Sequence, residues 1–149
     1  MPHDYNKYPE LTNKQMETEQ FSSPHQQITE DFDADVIKVH DGDTITLRTN
    51  FRDFDFPLRF AKIDAPEMND GGEEAREWLK TQIEGQKIQV KINRNNRVGK
   101  YGRLLGTVVS NGLDMGETML GLGLVKTFGS KNEGEVPQME KIFRLKQWF

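Results

Sequence analysis

The run Leu58-Arg59-Phe60-Ala61-Lys62-Ile63-Asp64-Ala65-Pro66-Glu67 decides how the rest of the chain is read, because an apolar, strand-like segment stops abruptly at a carboxylate, a proline and a second carboxylate. Phe54, Phe56, Leu58 and Phe60 alternate with Asp53, Asp55, Pro57 and Arg59, so the strand buries an aromatic face and carries Arg59 on the other. Asp64 has the opposite parity to Arg59. The two can face one site only if the strand ends or bulges between them, and Ala65-Pro66 makes an ending plausible. Upstream lies Asp41-Gly42-Asp43-Thr44 and downstream Lys100-Tyr101-Gly102-Arg103, so three polar clusters each interrupt a β-like segment. Read as one site, two acids and an arginine would hold a hard cation and a phosphate together, the minimum equipment for cutting a phosphodiester.

The chain around this run is of a size to bury one core. Its 149 residues, 34% hydrophobic, call for one domain plus extensions. There is no cysteine, which removes disulfides and thiolate zinc from consideration. The first thirty residues are polar, carry Pro2, Pro9 and Pro24, and lack the apolar core of a signal peptide. The apolar runs are too short to span a bilayer. A cytoplasmic protein, or one carried within a larger particle such as a virion, is expected. The net charge of −4 conceals an asymmetry: residues 1–35 hold 2 Lys against 8 acids, while Gly85 to Leu113 has no acid and six basic residues, Lys87, Lys91, Arg94, Arg97, Lys100 and Arg103. Such a stripe points to a polyanionic partner, because local potential steers encounter.

Residues 1–34, rich in Asn, Gln, Glu, Thr and Ser, should not order themselves and are expected to form an extended acidic arm that packs on another subunit or protein, separable from a domain over 35–149. Asp31, Asp33 and Asp35 imitate a calcium loop, but its sixth position is Val36 and its twelfth Gly42, so a solvated lead-in is the better reading. Val36–Val39 and Thr44–Arg48 flank Asp41-Gly42 as a hairpin, with Asp43 where the second strand begins. Pro57 suggests an edge or a bulge. Ala75, Trp78, Leu79 and Ile83 recur at helical spacing in a helix from Glu73 to Glu84, closed by Gly85. Ile88–Ile92 and Leu104–Val109 alternate as strands, the latter ended by Asn111-Gly112. Asp114 can cap a short helix, Leu124–Phe128 is expected to form a last strand, and Pro137–Trp148 has a helical apolar surface. The expected fold is α+β, mainly β: a five-stranded barrel of the OB kind with three helices, preceded by the arm.

These motifs, together with Gly72-Glu73-Glu74-Ala75, Leu104-Leu105-Gly106 and Gly121-Leu122-Gly123-Leu124-Val125, resemble the staphylococcal nuclease family in the same order over roughly residues 35–148. The resemblance implies an OB-fold nuclease that needs calcium, cleaves DNA and RNA with little sequence specificity and leaves 3′-phosphates. Carried over by position, Asp43, Asp64 and the Ala65 carbonyl match the metal ligands, and Glu67 the acid beside the attacking water. Arg59 and Arg103 match the guanidinium groups on the phosphate, and Lys100 and Tyr101 match contacts to the substrate's terminal phosphate. Arg94 and Arg97 are further substrate-contact candidates from the basic stripe. This chain has Ala65 where the best-known member has Thr, and Thr127-Phe128-Gly129 replaces a pair of base-stacking tyrosines.

The chemistry suits these residue types. A phosphodiester is an anion that repels nucleophiles; arginine's planar fork aims two donors at it and stays protonated. Oxygen-only ligands favour calcium over zinc. Glu67 would accept a proton from the attacking water or merely orient it. Each residue also has a plainer reading: Asp41 as a turn former, Asp64 and Glu67 as strand-ending acids, Arg59 and Arg103 as surface charges. The rival to an enzyme is a nuclease-like binding module held by its arm in a larger assembly.

Overall fold

Strands form where β-branched and aromatic residues alternate with polar ones, and their pairing closes on itself. The computed structural model describes residues 3–19, 22–99 and 102–128. In chain order the elements are α1 (Asn13–Glu19), β1 (Phe32–Asp41), β2 (Thr44–Arg48), β3 (Phe56–Phe60), β4 (Ile63–Asp64), α2 (Glu73–Ile83), β5 (Lys87–Lys91), β6 (Leu104–Ser110), β7 (Leu113–Asp114), α3 (Met115–Gly121) and β8 (Lys126–Thr127). Antiparallel pairs β3–β2, β2–β1, β1–β5 and β5–β6 are joined into a ring by the parallel pair β3–β6. The result is a closed, mixed five-stranded OB-fold barrel, which leaves no bare edge among those strands.

Closure depends on curvature, and β1 supplies it. Its register with β2 slips between Val36 and Lys38 and again between Val39 and Asp41, so the buried positions run Ala34, Val36, Val39 instead of strictly every second residue. Such bulges bend a strand and raise its twist. Pro57 sits in β3 where that strand is paired on one side only: it faces Thr46 of β2 and precedes Leu58, where pairing with β6 starts, so the β6 ladder does not need its missing N–H. Ile45, Leu47, Phe56, Leu58, Val90, Leu104 and Val108 fill the interior, with Ala75, Leu79 and Ile83 of α2 and Met115 and Met119 of α3 packed against them. Truncating one such fully buried leucine, Leu79 for example, typically costs about 2–5 kcal/mol.

Local signals set the ends of the helices. Asp114 caps α3 by accepting the Glu117 N–H at 3.0 Å. Gly85, at φ +79, takes the left-handed turn after α2 and gives its N–H to the Val36 carbonyl. The helix expected over 137–148 lies outside the described residues.

The N-terminal segment departs from expectation. It carries α1, and it folds back onto the barrel: Leu11 and Ile28 are buried, as are the polar residues Glu10 and Gln27. Glu10 pairs with Arg52 and Arg97, Arg52 gives a second bond to the Gln26 carbonyl, and its guanidinium lies over the rings of Phe54 and Phe56. Buried charges that answer one another replace the apolar surface that the segment lacks. Leu11 and Ile28, two of the scattered apolar side chains that argued for a foreign partner, thus have a home on this chain. β1 begins at Phe32, so the barrel reaches into the stretch assigned to the arm.

Candidate active site

Arg59 reaches the site because β3 ends one residue later. Lys62, at φ +70, turns the backbone between β3 and β4, which breaks the alternation that would have sent Arg59 and Asp64 to opposite faces. The buried Arg59 guanidinium donates to Asp64 Oδ1 at 3.0 Å, to the Phe60 and Ile63 carbonyls at 3.0 and 2.9 Å, and pairs with Asp43 Oδ2 at 3.3 Å. Asp43 is held as firmly: its Oδ2 accepts the Ala65 N–H at 2.7 Å and its Oδ1 the Thr44 hydroxyl at 3.0 Å. The Thr44 hydroxyl also accepts from Arg103 Nη1 at 3.3 Å, so a chain of contacts runs from Asp64 through Arg59, Asp43 and Thr44 to Arg103.

These groups line one open cleft of about 1280 Å³, together with Asp41, Ala65, Glu67, Lys62, Lys91, Asn93, Asn96 and Phe128. Five charged residues singled out in the sequence, Asp43, Asp64, Glu67, Arg59 and Arg103, therefore share it. Gly42 is glycine for a packing reason: a β-carbon there would stand 2.8 Å from Ala75 Cβ and 3.2 Å from Ala65 Cβ, so α2 presses directly on the turn between the two aspartates.

Asp41 is more than a turn former. Its Oδ1 accepts the Asp43 N–H at 3.0 Å, and its carboxyl faces the cleft. Burial, then hydrogen bonding to Asp43 and repulsion from it, pushes the Asp41 carboxyl up to about 6. Burial would raise Asp43 as well, but hydrogen bonds from Asp41 and the Ala65 N–H and the Arg59 charge outweigh it and hold Asp43 below the usual carboxylate range. One proton between two carboxylates relieves crowded anionic oxygens, and a hard cation would do the same. Among the described residues no three acidic, histidine or cysteine side chains form a metal-holding group. The Asp41, Asp43 and Asp64 carboxylates that line the cleft are oxygen donors, the type that hard cations take.

Arg97 requires a correction. Instead of facing a substrate it is 2% exposed, with Nε donating to the Ile28 carbonyl at 2.6 Å, Nη1 to the Leu11 carbonyl at 2.9 Å, and Nη2 paired with Glu10 at 3.2 Å. Once the N-terminal segment folds back, that charge belongs to the interior. Arg94 is exposed and does not line the cleft. Lys100 and Tyr101 lie outside the described residues. Asp41, Thr44 and Phe128 also line the cleft, although the sequence assigns Asp41 to a turn and gives Thr44 and Phe128 no role; the repeated carboxylate in Asp41-Gly42-Asp43 is the available signal for the first. Phe128 is 55% exposed at the cleft, with the Arg59 guanidinium 5.7 Å from its ring centre.

Residues 57–147 match the family described as staphylococcal nuclease homologue. The chain belongs to the staphylococcal nuclease family. Similar proteins include an uncharacterised protein of Bacillus anthracis, 29% identical over 70% of this chain and 52% of its own length. A probable endonuclease of Colletotrichum graminicola is 32% identical over 66% of this chain and 39% of its own. A micrococcal nuclease of Shigella flexneri is 38% identical over 52% of this chain and 42% of its own. The chain thus spans between about two fifths and half of the length of these curated relatives.

Proposed function

We propose that this chain is a calcium-dependent nuclease that hydrolyses phosphodiester bonds of DNA and RNA with little sequence specificity, leaving 3′-phosphates. The observation that carries the reading is the meeting of Arg59 with both Asp43 and Asp64, at 3.3 and 3.0 Å, in the cleft that Glu67 and Arg103 also line. Membership of the family and the nuclease names of relatives support it.

Asp43, Asp64 and the Ala65 carbonyl, with Asp41 beside them, would hold the calcium ion, which when bound supplies positive charge to the phosphoryl oxygens. Arg59 and Arg103 bind the phosphate from two directions and stabilise the charge that builds on it in the transition state. Glu67 orients the attacking water and accepts its proton. Phe128 offers an exposed ring on which a base can stack, in place of the family's tyrosine pair. Lys91, Asn93 and Asn96 extend the cleft for the sugar–phosphate backbone on one side.

The test is digestion of single-stranded DNA and of RNA with calcium and with chelator, followed by end-group analysis. Cleavage that needs calcium and yields 3′-phosphate ends is expected. Inactivity under both conditions at enzyme concentrations comparable to substrate overturns the proposal.

A further inference from the structure

The loop between β5 and β6 leads into Arg103. Its sequence, Asn93-Arg94-Asn95-Asn96-Arg97-Val98-Gly99, is mostly polar, and among the described residues its backbone bonds are local: Asn96 N–H to Asn93, Gly99 N–H to Arg103, Gly102 N–H to Gly99 and Leu105 N–H to Arg97, with a bridge between Val98 and Leu104. Segments with few buried apolar contacts open readily. What meets this loop at three successive places is the N-terminal segment. At its start Asn13 Nδ2 donates to the Arg94 carbonyl at 2.7 Å. In the middle the buried Arg97 guanidinium ties together two stretches of the segment, through the Leu11 and Ile28 carbonyls and the Glu10 carboxylate, and takes further contacts to Asn13 and Met16. Next to Arg103 itself, the ring of Tyr8 packs on Gly102 so closely that a β-carbon at Gly102 would collide with it, and Gly102 stands at φ +78.

We propose that the N-terminal segment is a brace for the phosphate-binding guanidinium, with Tyr8, Glu10 and Arg97 as positioning residues that act on Arg103 through the loop backbone. The proposal rests on the reading of Arg103 as a phosphate ligand. Three contacts from one segment fix the loop at its start, its middle and the residue before Arg103, while the Arg103 side chain leans on Thr44 at the far side. A displacement of about 1 Å in such a group costs about a hundredfold in rate, so holding the loop is worth as much to catalysis as many direct contacts.

The test uses the full chain and two variants that leave the Glu10 ion pairs in place, Tyr8→Ala and Asn13→Ala. Amide hydrogen exchange is read at Gly99 and Gly102, whose N–H groups bond within the loop, and at Val90 and Val108 in the barrel. Faster exchange in the loop, by tenfold or more, with unchanged barrel amides is expected. On single-stranded DNA, Tyr8→Ala is expected to lower kcat roughly tenfold to a hundredfold with KM little changed, and to add nothing to the loss already caused by Arg103→Ala. Loop exchange equal to wild type in both variants overturns the brace, as does a rate loss that adds in full on the Arg103→Ala background. If Tyr8→Ala does not fold, Asn13→Ala decides the matter by the same exchange comparison. A wild-type chain that cuts nothing sinks the nuclease reading alone, and loop exchange still decides the brace.

Discussion

Replacing Glu10 by glutamine keeps the side chain's volume and removes one negative charge from a place where two guanidinium groups depend on it. Glu10 is 2% exposed, and both Arg52 and Arg97 are buried against it. Removing one partner of a buried ion pair costs about 3–5 kcal/mol, chiefly because the remaining charge stays desolvated and uncompensated. Here two cations are left, although each keeps its carbonyl partners, Gln26 for Arg52 and Leu11 and Ile28 for Arg97. For a chain of this length a loss of that size lowers the unfolding midpoint by roughly 6–20 °C, at about 2–4 °C per kcal/mol. Thermal melts followed by circular dichroism and urea titrations of the same protein measure it. The drop should persist in high salt, because buried pairs are screened far less than exposed ones. The exposed Arg48–Asp55 pair, 2.8 Å apart, provides the contrast: Arg48→Ala should move the midpoint little. A Glu10→Gln midpoint within about 2 °C of wild type, on the same scale, would refute the argument that charge complementarity holds the N-terminal segment down.

Arg103→Ala and Glu67→Gln should each reduce cleavage of single-stranded DNA by about a hundredfold to a thousandfold while leaving the melting midpoint close to wild type, because neither side chain belongs to the core; a comparable fall in midpoint would show that the loss is structural. Calcium at a hundred times its dissociation constant should stabilise the fold by about 2.7 kcal/mol. Asp64→Asn should abolish that increment, and a melt in which the variant still responds like wild type would remove Asp64 from the ligand set. Gly42→Ala should destabilise by about 1–3 kcal/mol, since its new methyl group must push Ala75 of α2 or Ala65 out of place; an unchanged urea midpoint would mean that the turn has room that the packing denies.

The barrel was legible because its strands are rich in β-branched and aromatic residues and its turns carry Asp-Gly and Asn-Gly; β5 and β6 keep period-two burial throughout, whereas β1 bulges and β2 and β3 are buried at successive positions. The meeting of Arg59 with Asp64 was legible as a condition, that the strand must end between them, and Lys62 at φ +70 meets it, though nothing in a lysine announces a left-handed turn. What composition hid was the N-terminal segment. A polar stretch reads as disordered when apolar area alone is counted, but its stability comes from Glu10 meeting Arg52 and Arg97, and such long-range pairing leaves no periodic trace. The same blindness turned Arg97 into a substrate contact: a basic residue in a basic loop looks solvated until the acid that buries it is known. Asp41 was undervalued because an aspartate before glycine serves a turn, and only its burial and the three-dimensional proximity of Asp43 reveal why its carboxyl is pushed up.

The pairing of Glu10 with Arg97 also dictates an order of events during synthesis. Chains emerge from the ribosome N-terminus first, at about 5–20 residues per second. The segment therefore leaves the tunnel with its acid unpaired until Arg52 has followed, and the second guanidinium, Arg97, comes only after β1, β2 and β3 have been made. The segment ahead of the barrel in the chain thus cannot complete its ion pairs until β5 has been made.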